Sequence, residues 1–106
     1  MPRKDNYKPS KIQKETECYL CHAPYTVGLS HHHCLHGTGD RKKADEDGLW
    51  VWLCNRCHSA LHDKGEHDKE LQALAQRTYI KEQRKIGYPE DVAREIYFER
   101  YKKFYE

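Results

Sequence analysis

Apolar positions along this chain fall into short runs whose period changes part-way. Residues 49–54, LWVWLC, form an unbroken aromatic and β-branched run, which reads as a short buried strand. Residues 25–35, YTVGLSHHHCL, also suit a strand. Between them lies HGTGDRKKADEDG, with three glycines and four acidic residues, expected to be the loop of a β-hairpin. After residue 54 the pattern turns helical, beginning with NRCHSALHD directly from the second strand. Further on, Leu71, Leu74, Ala75 and Tyr79 recur at helical spacing until Gly87 stops the run. Pro89 opens a last helix with Glu90 and Asp91 in its first turn and Lys102 and Lys103 near its end, an order that suits the helix dipole. Its stripe of Val92, Ile96, Tyr97, Tyr101 and Phe104 is expected to pack on the preceding helix or on the hairpin module.

Composition explains why these elements need help to hold together. With 106 residues, 34% of them charged and 37% hydrophobic, the chain is one small domain with little apolar surface to bury. Chains of this size often add a disulfide or a metal. Five cysteines are an odd disulfide set, and four of them form two C-x-x-C pairs, Cys18/Cys21 and Cys54/Cys57. Both pairs run into a histidine, in CYLCH and CNRCH, which also matches covalent haem attachment. That chemistry normally follows export, yet the N-terminal MPRKDNYKPSKIQKE is polar and basic, neither signal peptide nor membrane anchor. The only methionine is the initiator, so no methionine can serve as an axial ligand. Zinc accounts for the pairs better, with four thiolates closing one tetrahedral structural Zn²⁺ site. A knuckle, a hairpin and a helix clamped at the helix start make a treble-clef arrangement. The expected fold is therefore small α+β, a treble-clef zinc module of β-hairpin plus helix followed by two C-terminal α-helices.

The histidines remain once the cysteines are assigned. His58 and His62 are four apart on the expected helix and share a face, where they can grip one ion. His31, His32, His33 and His36 lie on or just after the first strand, which the hairpin brings within reach of that face. A second metal site, open on one side, is expected; surface histidines or a second closed zinc are the plainer alternatives.

In this order, HHHCLHGTGDRKK followed by GLWVWLCNRCHSALH resembles the HNH, or ββα-metal, endonucleases, in the subgroup with a supporting four-cysteine zinc. It is most similar to the small HNH nucleases of phages and prophages. The resemblance covers residues 18–62. It implies a metal ligand followed at once by a catalytic histidine. Aligned on the glycine loop, these are His32 as ligand and His33 as general base, with His58 and His62 completing the catalytic metal site. A second register would use His31 and His32. The asparagine that names the motif has no counterpart here, since Gly48 and Leu49 stand at its expected place.

The implied activity is metal-dependent hydrolysis of phosphodiester bonds in DNA, expected to be double-stranded. The catalytic divalent metal is Mg²⁺, Mn²⁺, Ni²⁺ or Zn²⁺, with imidazoles favouring the softer ions. Arg41, Lys42 and Lys43 in the loop are candidate nucleic-acid contacts, with solvated loop charges as the plainer reading. A net charge of +2 is too small to identify such a partner alone. The alternative function is a non-catalytic treble-clef module that binds DNA or protein. Residues 1–16 are expected to be a basic arm, mobile over its first dozen residues and carrying Arg3, Lys4, Lys8, Lys11 and Lys14. Residues 17–64 form the zinc module and 65–106 a helical extension packed on it. The expected location is the cytoplasm, that of a bacterial host if the gene is a phage's, with phage or host recombination or packaging proteins as possible partners.

Overall fold

The computed structural model describes residues 8–37 and 39–106. Its centre is an antiparallel pair of short strands, β1 (Leu29–His33) and β2 (Trp50–Cys54), registered so that His31 faces Trp52, His32 faces Val51 and His33 faces Trp50. A short helix α1 (Asp40–Asp47) joins them, and α2 (Asn55–Lys64) follows β2 without a break. Helices α3 (Asp68–Ile86) and α4 (Glu90–Tyr101) pair with each other beyond it. The architecture is small α+β, as expected. Among the described residues no helix is long and apolar enough to cross a membrane.

Two elements differ from the pattern reading. The first strand is shorter than residues 25–35, because Tyr25–Val27 form a 3-10 turn between Pro24 and Gly28. The segment expected to be a loop contains α1. Glycines in left-handed conformation bound this helix at both ends, and the Gly48 N–H caps it on the Ala44 carbonyl. Ala44 alone among its residues is buried, so no apolar stripe announced it. Its hold on the rest is polar. Asp47 accepts hydrogen bonds from Arg100 Nε (2.6 Å) and the Tyr101 hydroxyl, and Glu46 accepts one from Arg100 Nη2 at 2.8 Å.

The expected mobile arm is docked from residue 8 onward; Arg3 and Lys4 lie outside the described residues. Ser10 Oγ donates to the Trp50 carbonyl (2.6 Å), the Trp52 N–H donates to Gln13 Oε1 (2.9 Å), and the Tyr19 N–H donates to the Trp52 carbonyl (2.8 Å). An open edge of β2 would otherwise leave those backbone groups unpaired. Lys8, Lys11 and Lys14 sit along this docked segment.

The core joins the hairpin to the helices through Leu35, Leu49, Val51, Leu53, Leu61 and Leu71, all buried. On α4 the buried stripe is Ala93, Tyr97 and Tyr101, while Phe104 lies past the helix end and is partly exposed. Its ring stacks on Phe98 at 5.1 Å.

Gly48 also marks where the arm crosses the helix end. Its φ is +71°, and a Cβ there would meet the Pro9 carbonyl oxygen at 2.5 Å. Gly48→Ala is expected to cost about 2–3 kcal/mol in urea unfolding, from left-handed strain plus displacement of the arm. Gly65→Ala has the same φ but open space around it. It should cost only about 1 kcal/mol. Equal losses would mean that the approach of Pro9 carries no weight.

Candidate metal centre

Cys18 and Cys21 occupy a tight knuckle closed by the Cys18 N–H to the Ala23 carbonyl (2.9 Å) and the His22 N–H to the Cys18 carbonyl (2.8 Å). Cys54 ends β2 and caps α2, and Cys57 lies in the first turn of that helix. The four sulfurs come within 4.8 Å of one another, with Cys21 and Cys54 Sγ 3.7 Å apart. Thiolates placed tetrahedrally on zinc at about 2.3 Å would be about 3.8 Å apart, so the cluster can hold a metal such as zinc. Burial pushes the Cys18 thiol up, but the backbone N–H groups of Cys21, Cys54 and Leu20 outweigh it and hold it at about 6. Cys57 moves the other way: burial and then its neighbouring thiols push it well up. Like charges this close repel, so a cation between the sulfurs favours their charged forms.

A second cluster forms where β1 crosses α2. His58 and His62 stand one turn apart with their Nε2 atoms 3.0 Å from each other. Two imidazoles on one tetrahedral zinc would stand about 3.3 Å apart. His32 points at this pair from the strand, its ring centroid 5.4 Å from His58 and 5.9 Å from His62. The three ligand-bearing side chains meet the same 4.8 Å limit. His32 is buried, and its Nε2 has no hydrogen-bond partner among the described residues. A buried, unpaired nitrogen is costly. The site's chemistry thus fits an ion as the missing partner. Burial, then His58, His36 and His62, push His32 down to about 4, so its imidazole is neutral and its lone pair free near pH 7. His58 is lowered too, by burial and by His62.

His31 and His33 turn to the opposite face of β1, as strand alternation requires. There they meet Asp45 of α1. His31 Nε2 donates to Asp45 Oδ1 at 2.8 Å, and His33 Nε2 lies 2.9 Å from the same oxygen without hydrogen-bond alignment. His33 still reaches the rim of a cavity of about 260 Å³ that it shares with His31, His32, His36, Arg41, His58 and His62. Lys42 lines the adjoining cavity, whereas Lys43 Nζ donates to the Arg100 carbonyl at 2.8 Å and is engaged with α4. Beside the histidine site, His36 is taken up by Asp68 at 2.9 Å. Cys34 lies in the core, where burial and then the charge of Asp68 push its thiol up.

Asp45 was missed in the sequence because it stood among the acids of an apparently solvated loop. Its spacing to the histidines means something only once α1 and β1 are placed side by side. Comparison with protein-family models, with curated proteins and with solved structures finds no match for this chain.

The cysteine cluster and the core cysteine Cys34 should separate on substitution. When the protein is loaded with zinc, Cys57→Ser is expected to hold one equivalent fewer and to lose the cooperative fold with it, since such ions contribute about 10 kcal/mol or more. Cys34→Ala should keep that zinc and lose only about 1–2 kcal/mol from the core. Metal content by mass spectrometry, beside thermal unfolding, checks both outcomes.

Proposed function

We propose that this protein is a metal-dependent endonuclease of the HNH type, hydrolysing phosphodiester bonds in DNA. The observation that carries the reading is the convergence of His32, His58 and His62 on one point in an open cavity, with the His32 Nε2 buried and unpartnered. In this reading the four cysteines hold a structural zinc in a treble-clef, ββα-metal module, and the three histidines hold a second divalent ion. When bound, that ion supplies Lewis acidity to the scissile phosphate. His33, one residue beyond the ligand strand position, accepts the proton of the attacking water. Arg41 and Lys42, at the mouth, meet the flanking phosphates, and Lys43 stays with α4.

Support for an open rather than closed histidine site comes from its donors. Only three ligand-bearing side chains converge among the described residues, and His36 is held by Asp68. A fourth coordination position is then free for substrate. One observation favours the other reading, a treble-clef module that binds DNA without cutting it: Gly48 and Leu49 offer no side-chain amide at the start of β2. The phage-type relationship, a cytoplasmic site of action and recombination or packaging partners belong to the same proposal.

Cleavage of supercoiled plasmid with Mg²⁺, Mn²⁺, Ni²⁺ or Zn²⁺ tests it. Wild type should nick, and a folded His33→Ala should be slower by about 100-fold or more. Loss in His32→Ala with activity kept in His33→Ala would move the base to another residue. Binding without cleavage by wild type, under every ion, would establish the non-catalytic module.

A further inference from the structure

Three consecutive histidines on β1 serve two faces of the strand, and only His32 belongs to the cluster on α2. The opposite face carries a donor set of its own. His31 and His33 are each about four-fifths buried, with side chains 18% and 22% exposed, and both present Nε2 to Asp45 Oδ1, whose side chain is 23% exposed. We propose that His31, His33 and Asp45 form a third, separate cation site for a transition-metal dication of the Zn²⁺, Co²⁺, Ni²⁺ or Mn²⁺ kind, and that filling it silences His33 as a base.

The chemistry of the donors selects that class of ion, since two imidazoles and a carboxylate are borderline ligands that leave other positions open. The spacing agrees. All three ligand atoms lie within 4.8 Å, and the two nitrogens stand 2.8 and 2.9 Å from the oxygen. Adjacent ligands at about 2.1 Å in an octahedral shell would be about 3.0 Å apart. The groups are also held in place from outside. The His31 ring stacks on Trp50 at 4.2 Å, and Asp45 rides on α1, which Arg100 and Tyr101 fasten through Asp47. Such outer contacts orient metal ligands. A cavity of about 540 Å³, lined by His33, Arg41, Lys42, Asp45 and Glu46, gives access and room for water or phosphate oxygens on the open side.

Silencing rests on the nuclease reading and on the single lone pair of a neutral imidazole. A neutral imidazole keeps one ring nitrogen with a free lone pair, able to accept a proton. An ion on Nε2 takes that lone pair and places the proton on Nδ1. His33 then has nothing with which to accept the water's proton. Excess metal should therefore inhibit.

The test is a count of ions on zinc-loaded full-length protein titrated with Co²⁺ and examined by native mass spectrometry. Wild type should take two Co²⁺ beyond the thiolate-bound zinc, and His58→Ala one. Asp45→Ala and, independently, His31→Gln should each take one, and Asp45→Ala combined with His58→Ala none. Retention of the thiolate zinc and of the circular dichroism spectrum identifies the folded variants. An unchanged wild-type count in both folded Asp45→Ala and folded His31→Gln would overturn the site, leaving Asp45 as a hydrogen-bonded anchor. Plasmid nicking should rise and then fall as Co²⁺ increases, with the falling limb lost in Asp45→Ala. A protein that never nicks, yet loses one Co²⁺ in Asp45→Ala, supports the site while overturning the nuclease.

Discussion

A two-stranded ribbon of five-residue strands cannot stand by itself in water, and everything else in this chain is arranged around that fact. Cys54 ends β2 and its sulfur lies in the four-cysteine cluster, so one end of the ribbon sits beside a knuckle over thirty residues earlier in the chain. Residues 8–13 cover the free edge of β2 with Ser10 and Gln13 as hydrogen-bonding partners. The burial of Leu49, Val51 and Leu53 in one core with Leu61 of α2 supplies apolar contact that a ribbon alone lacks. In so small a core, a metal held by the four cysteines would substitute for hydrophobic volume.

The same ribbon sorts the chemistry. Successive side chains on a strand point to opposite faces, so an unbroken run of His31, His32 and His33 becomes two groups with different neighbours. His32 is buried against the imidazoles of α2, where its neutral form is favoured. His31 and His33 meet a carboxylate instead. Because the loop connecting the strands is folded into α1, the acid arrives on a rigid support.

Spacing rules made part of this readable from residues alone. Two C-x-x-C pairs and two histidines one turn apart carry their geometry within a few positions, and the structure gathers both groups. The buried strand at Trp50–Cys54 was legible from its composition. Helix α1 was not, because its stability comes from end-capping glycines and from Arg100, more than fifty residues away. Asp45 was hidden for the same reason. The docking of residues 8–13 depends on Gln13, a polar residue whose burial has no local signature. Interactions that close over long stretches of chain leave no period to detect.

Helix α1 is held by acids on two sides. Asp47 and Glu46 hold the guanidinium of Arg100 and the hydroxyl of Tyr101 on α4, while Asp45, immediately before them, holds His31 and lies against His33. An eight-residue helix is too short to absorb a shift at one end without passing it on. The C-terminal helices are thus mechanically continuous with the histidine face, and α4 works as a strut. Whatever displaces Arg100, whether a bound partner or a truncation, slackens the seat of Asp45 as well, so a change at the far end of the chain is felt at the cavity.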